Sequence, residues 1–241
     1  MQRRELQVTM TTAVLLLAAV GWAVSRQPVR FVDFTLRPAG SRAVPAVAVM
    51  PKGAERLPVV VYLHGSGDSL ERSTGALRQF AELGMAAVCM DYTQTNATTF
   101  PTEFESLLSW VSRQPWADTN RVAWVGFSLG AQRMLSHLCS KPSAQPLFLV
   151  RMGGGMVAGL TNSTPNLSRR GWLVHGEQDE TFRPSEAEVV KKRLLAAGMS
   201  VELTALPGQP HAFGENRALV HRMIAERCHK ELAARRKEPS P

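Results

Sequence analysis

Cysteine is scarce. There are three in 241 residues, Cys89, Cys139 and Cys228. That is too few for a disulfide scaffold, and an odd count leaves at least one thiol unpaired. None stands at a metal-ligand spacing, so no metal site is read. Cys89 lies in the apolar run "MAAVCM" and reads as a small buried hydrophobe. Stripes of Lys and Arg interleaved with aromatics are missing as well. No nucleic-acid-binding motif occurs, so nucleic acid is not an expected partner. There is no internal repeat and no low-complexity linker to divide the chain. The uncharged stretch 10–24 is short for a membrane span, which needs about 20 apolar residues.

Hydrophobic residues make up 44%, and the length suits one globular domain with a proper core. The formal net charge is +8, part of it local to the tail "RMIAERCHKELAARRKEPSP". Such a tail reads as a solvated basic helix; a basic excess also favours anionic surfaces such as lipid headgroups. The other end, "MQRRELQVTMTTAVLLLAAVGWAVSRQP", has the layout of a secretory signal. Arg3 and Arg4 precede the apolar run, and Ala23-Val24-Ser25 offers a small-x-small cleavage site. An uncleaved membrane anchor and a buried N-terminal helix are the alternatives. Arg3-Arg4 loosely matches a twin-arginine signal, but Glu5 and Gln7 make a poor context. No lipobox cysteine is present. Residues 1–25 are therefore set apart as signal or anchor. Residues 26–241 form one domain, expected to be periplasmic, secreted or anchored at a membrane.

Along that domain, strand and helix patterns alternate. Residues 29–36 and 43–50 suit an antiparallel opening pair. Residues 58–65, "PVVVYLHG", form a continuous apolar run with β-branched residues, typical of a strand buried on both faces. Further strands are read at 85–92, 121–126, 146–152, 171–176 and 200–206. Helices are read at 72–84, 101–115, 129–140, 184–198 and 215–236. This alternation predicts an α/β fold, a mostly parallel sheet covered by helices on both faces. Ligands of such sheets sit outside the carboxyl ends of the strands. The reactive residues that follow strand ends are therefore the ones to weigh.

"WVGFSLGAQ" (124–132) holds a G-x-S-x-G. Chance supplies this pattern in very roughly one chain in ten. Its context is what matters: a strand precedes Ser128 and a helix follows. A serine hydroxyl is a poor nucleophile unless it stands clear of the backbone beside a base, and a sharp strand-to-helix turn provides that. Gly126 and Gly130 let neighbouring segments come close, and the helix N-terminus adds N–H groups that stabilise an oxyanion. Of six histidines, His211 in "LPGQPHAFGEN" follows the last strand and is the candidate general base. His137 falls inside a helix, and His175 ends a strand and reads as packed or hydrogen-bonded there. His221 and His229 read as exposed residues of the terminal helix. In "LVHGEQDETF", Asp179 is the candidate acid that orients the base. Glu177 and Glu180 compete, and Asp91 is a weaker alternative. The chain order Ser, Asp, His is the one expected of this architecture. The oxyanion hole is assigned to the N–H groups of Leu129 and, in "LHGSGDS", Ser66, with Gly65 as alternative.

One rival motif is present. "GGGMVA" (153–158) fits a dinucleotide fingerprint after a strand, with Glu177 about 20 residues on. The following "VAGLTNSTPNLSRR" breaks any crossover helix, so a pyrophosphate has no helix N-terminus to sit on. No cofactor is expected. The segment reads instead as a loop beside the active site, at most a short lid.

Taken together, "LHGSGD", "DTNRVAWVGFSLGA", "HGEQDETF" and "PGQPHAF" resemble the dienelactone-hydrolase-like branch of the α/β-hydrolase superfamily, over roughly residues 29–230. Dienelactone hydrolase itself carries a cysteine where this chain has Ser128, so the resemblance implies a serine esterase and not lactone hydrolysis. It implies an acyl-enzyme mechanism with Ser128, His211 and Asp179, acting on a small-molecule ester. The short lid points to short acyl groups. Met152, Met156, Trp172, Phe182 and Phe213 are candidates to line the pocket, and Arg133 and Arg151 to attract acidic substrates. An acyl-peptidase or amidase, and a catalytically silent binding protein of the same fold, are the alternative readings.

Overall fold

The structure is a computed structural model and describes residues 27–141, 145–161, 167 and 169–234. The signal or anchor segment read over 1–25 and the end of the basic tail lie outside these residues. No helix among the described residues is long and apolar enough to cross a membrane.

Eight strands form one sheet in the order β1-β2-β4-β3-β5-β6-β7-β8. β1 (Val29–Leu36) and β2 (Val44–Pro51) are the antiparallel opening pair, and β2 also runs antiparallel to β4 (Ala86–Met90). The remaining pairings are parallel. They join β4, β3 (Leu57–Leu63), β5 (Ala117–Phe127), β6 (Phe148–Met152), β7 (Arg170–Gly176) and β8 (Ser200–Leu206). The helices are α1 (Leu70–Glu82), α2 (Phe100–Ser112), α3 (Leu129–Ser140), α4 (Pro184–Ala196) and α5 (Arg217–Ala234).

Because side chains alternate across a strand, the apolar runs feed two cores at once. Val59, Val61 and Leu63 of β3 pack on the side of α2, α3 and α4. Val60 and Tyr62 pack on the opposite side, with Leu77 and Phe80 of α1 and Ile224 and Cys228 of α5. The expected α/β architecture is therefore the one observed. β5 begins earlier than its apolar run. Leu57 and Pro58 of β3 pair with Ala117 and Asp118, and a register shift follows between Pro58 and Val59. Polar residues 118–121 are thus drawn into the strand by a distant partner, which local hydrophobicity does not report.

The turn at Ser128 rests on close backbone contact. A Cβ on Gly130 would lie 2.2 Å from the Leu63 carbonyl oxygen and 2.6 Å from that of His64. The first turn of α3 is therefore seated directly on the end of β3. A Cβ on Gly126 would lie 2.7 Å from the Ala131 backbone, so the strand and the helix it feeds are equally close.

One reading is corrected here. His221 is not an exposed residue of the last helix. It lies on the buried stripe of α5 with Ile224 and Cys228, and it is 6% exposed. Its Nε2 is 3.2 Å from the Tyr62 hydroxyl. A polar partner across the core makes a histidine acceptable on a face that apolar periodicity alone does not give it. Burial, with Arg217 nearby, pushes its pKa down from 6.5 to about 4.

Two outcomes are expected. Gly130→Ala drives a Cβ into backbone that has no rotamer to give, and should destabilise the fold by on the order of 4 kcal/mol or leave it insoluble; urea unfolding measures this. His221 stays neutral in the folded chain while the unfolded chain takes up a proton below 6.5. Its contribution to stability is thus complete above 6.5 and is lost as the pH falls toward about 4, a loss of about 3 kcal/mol. His221→Gln keeps an amide for Tyr62 and does not titrate, so its urea midpoint should fall less steeply over that window.

Candidate active site

Ser128 occupies the turn between β5 and α3 with φ 52° and ψ −116°. A non-glycine residue in this region is strained by roughly 1–3 kcal/mol and persists only where its surroundings impose it. Here they do. The Ser128 N–H donates to the Met152 carbonyl at the end of β6 (2.8 Å), and the Ser128 carbonyl accepts from the Gln132 N–H of α3 (3.1 Å). Both backbone groups are committed, and the side chain is turned toward the loop after β8.

His211 stands on that loop. Its Nε2 is 2.9 Å from Ser128 Oγ. Its Nδ1 is 2.8 Å from Asp179 Oδ2. Asp179 follows β7, and its side chain is fully buried. The other carboxylate oxygen, Oδ1, accepts the N–H groups of Thr181 (2.9 Å) and Phe182 (2.8 Å). A buried carboxylate needs such donors, and these fix its rotation so that Oδ2 faces the imidazole. The three residues read from the sequence are therefore brought into one hydrogen-bonded chain, though they come from three separate loops.

The competing acids are placed elsewhere. Asp91 accepts from the Thr93 N–H (3.0 Å) and hydroxyl (2.7 Å). Glu177 is exposed. Glu180 accepts from the His211 backbone N–H at 3.4 Å and so braces the histidine loop from outside. His175 is packed and hydrogen-bonded as expected: its Nε2 is 2.8 Å from the Phe182 carbonyl oxygen.

The two backbone segments read as oxyanion donors both border Ser128. Leu129 is the first residue of α3, and its N–H belongs to the first turn, where no intrahelical acceptor exists. Gly65 is pressed against the nucleophile turn. A Cβ there would lie 2.8 Å from the Phe127 ring and 3.4 Å from Ser128 Cβ. Ser66 follows at the exposed rim of the same loop. The loop is closed by the Asp68 N–H donating to the Gly65 carbonyl (3.3 Å). Behind it, the Tyr92 hydroxyl donates to the His64 carbonyl, and the His64 ring stacks on Tyr92 at 4.3 Å.

Several contributors carry no local signature. The Phe127 and Phe182 rings flank His211, each with centroids 5.4 Å away. Arg217, at the start of α5, lies 5.1 Å over the Phe127 ring and pairs with Asp68. Asp68 stands in the quoted "LHGSGD", but its partner is far along the chain, and nothing in the spacing announces the pair. Of the pocket candidates, Phe182 does face His211, whereas Met152, Trp172 and Phe213 belong to the core with α1 and α5. Met156 packs against the other core. Arg151 is not available to a substrate. It is 2% exposed, and its Nη2 donates to the Gly155 carbonyl at 2.6 Å. Burial lowers its pKa to about 10. Arg133 lies over the Phe100 ring at 5.7 Å.

The described residues of the β6–β7 connection, 153–161, enter no helix, and Gly153 abuts the His211 ring. Among the described residues no group of three or more His, Cys, Asp or Glu is arranged to hold a metal ion.

Solved structures that share this architecture include several esterases. Est1E from Butyrivibrio proteoclasticus superposes with TM-score 0.69 at 15% identity, over 83% of this chain and 99% of that one. An esterase from Pyrobaculum calidifontis gives TM-score 0.73 at 17% identity, over 92% of each chain. A Rhizomucor miehei esterase gives 0.74 at 17%, over 93% of this chain and 89% of that one. At such identities the likeness establishes the fold, an α/β-hydrolase. Comparison with the curated proteins returns no match. The model of the dienelactone hydrolase family matches residues 85–236, more than half of the chain and the part that carries Ser128, Asp179 and His211. The chain therefore belongs to the dienelactone hydrolase family and is a hydrolase of that type.

Proposed function

We propose that the protein is a serine hydrolase that cleaves small-molecule esters of short acyl groups through an acyl-enzyme. The observation that carries this reading is the unbroken chain from Ser128 Oγ through the His211 ring to Asp179 Oδ2, at 2.9 and 2.8 Å. His211 Nε2 takes the hydroxyl proton as Oγ bonds to the ester carbonyl carbon. Asp179 holds the ring by Nδ1 and stabilises the imidazolium that forms. The carbonyl oxygen becomes an oxyanion, held by the N–H of Leu129 and that of Ser66, with Gly65 as the alternative second donor. Each such donor is worth roughly 10²–10³ in rate. His211 then protonates the departing alkoxide, the C–O bond breaks, and the acyl group stays on Ser128. Water, deprotonated by the same imidazole, releases the acid and restores the serine.

The preference for short acyl groups rests on the cover of the site. Gly153 abuts the His211 ring, and the described residues that follow it, 154–161, enter no helix. A long chain therefore gains little apolar surface on binding, and burial is what a long acyl group needs. Export, or retention at a membrane by residues 1–25, is part of this proposal and rests on the charge and hydropathy pattern of that segment alone.

A fluorophosphonate probe should label the folded wild-type chain, and Ser128→Ala should abolish labelling and lower ester turnover by at least about 10³-fold. A folded wild-type chain that takes no label removes the serine-hydrolase reading. Short-chain nitrophenyl esters should turn over faster than long-chain ones, and esters faster than the matching amides. Mass measurement of chain recovered from the extracytoplasmic fraction should show the N-terminus processed near residue 25 or left intact in the membrane; full-length chain in the cytoplasm contradicts export.

A further inference from the structure

His175 stands outside the hydrogen-bonded chain of Ser128, His211 and Asp179, yet it is buried against the carboxylate that ends it. Its side chain is 4% exposed and that of Asp179 is fully buried. Its Nε2 is 2.8 Å from the Phe182 carbonyl oxygen. A carbonyl oxygen only accepts, so Nε2 carries the hydrogen and donates it, which fixes the tautomer of the ring. The same Nε2 is 3.3 Å from Asp179 Oδ2, the oxygen that receives His211 Nδ1. Phe182 is thus held at both ends of its backbone. Its N–H donates to Asp179 Oδ1 at 2.8 Å, and its carbonyl accepts from His175. Its ring lies against His211, with centroids 5.4 Å apart.

Resting on the serine-hydrolase reading above, we infer that His175 is a positioning residue for the catalytic carboxylate: it ties the turn 179–182 to β7 and so fixes the rotation of Asp179 and the tilt of His211. The physical logic is one of closure. The turn is made by Asp179 accepting from Thr181 and Phe182, and its start is anchored by the Asp179 N–H donating to the Gly176 carbonyl at 3.2 Å, which leaves the freedom of its far end, at Phe182. The Phe182 carbonyl, tied back to a side chain that projects from β7 itself, removes that freedom. The N–H of the same ring also presents its positive end near Oδ2, where the carboxylate charge is concentrated. With His175 removed, the turn loses its tether, and Asp179 meets His211 in a spread of orientations. The imidazolium of the transition state is then stabilised less, while substrate contacts stay as they were. The loss falls on kcat and not on KM.

The test compares His175→Leu, which keeps bulk and removes the donor, with His175→Gln, whose amide nitrogen reaches about as far as Nε2. Both are measured as kcat and KM per site titrated to completion with a fluorophosphonate, so that misfolded chain is not counted. H175L is expected to lose on the order of 10-fold in kcat with KM little changed, the scale set by one hydrogen bond to a neutral carbonyl. H175Q is expected to recover most of that loss. Wild-type kcat per titrated site in H175L, or equal impairment in both variants, overturns the inference. Should H175L fail to fold, H175N takes its place, since its amide is one bond too short to reach the Phe182 carbonyl, and the same two results decide. Absence of label on folded wild-type chain would instead sink the serine-hydrolase reading itself, so the two failures are told apart.

Discussion

The contact between Gly130 and the carbonyl oxygens of Leu63 and His64 is the one on which the rest of the site hangs. It sets the first turn of α3 on the end of the neighbouring strand, closer than any side chain allows. With the helix fixed there, the chain has one residue in which to turn from β5 into α3. That residue is Ser128, and its positive φ is the geometric result. The strain is held by backbone hydrogen bonds on both sides of the serine, to β6 and to α3. A parallel sheet makes such a contact reproducible, since β3 and the end of β5 are buried on both faces and have little room to shift.

From that turn the site is assembled by loops that leave neighbouring strands in the same direction. β5, β7 and β8 deliver Ser128, Asp179 and His211, and β3 delivers Gly65. None of these side chains is near another in sequence. Parallel strands nevertheless end on one edge of the sheet, so their following loops converge. The aromatic rings of Phe127 and Phe182 fill the space on either side of His211, which keeps the imidazole from swinging away from its two partners.

Much of this could be read from the chain before any coordinates. Continuous apolar runs such as "VVVYL" announce strands buried on both faces, because both faces need an apolar partner. The glycines around Ser128, and a serine, an acid and a histidine each after a strand, announce the chain of hydrogen bonds that the structure then displays. What escaped reading is set by distant contact. His221 looks solvent-facing until Tyr62 is seen across the core. Arg151 looks like a surface charge, and even its nearby partner, the Gly155 carbonyl, is a backbone group that side-chain patterning does not report. The early start of β5 depends on pairing with β3, and Arg217 acquires its place only through Asp68 and Phe127. Periodicity reports which face of an element is apolar; it is silent about a polar residue that finds its partner some 150 residues away.

The pairing of Arg217 with Asp68 also says something about time. Asp68 follows the third strand, and Arg217 opens the last helix. A chain emerging from the ribosome can pair its early strands, but the loop after β3 has no Arg217 to hold it until β4 to β8 have been made. His211 arrives at almost the same moment. The turn at Ser128 is thus synthesised well before both His211, its hydrogen-bond partner, and the cation that closes the loop beside it.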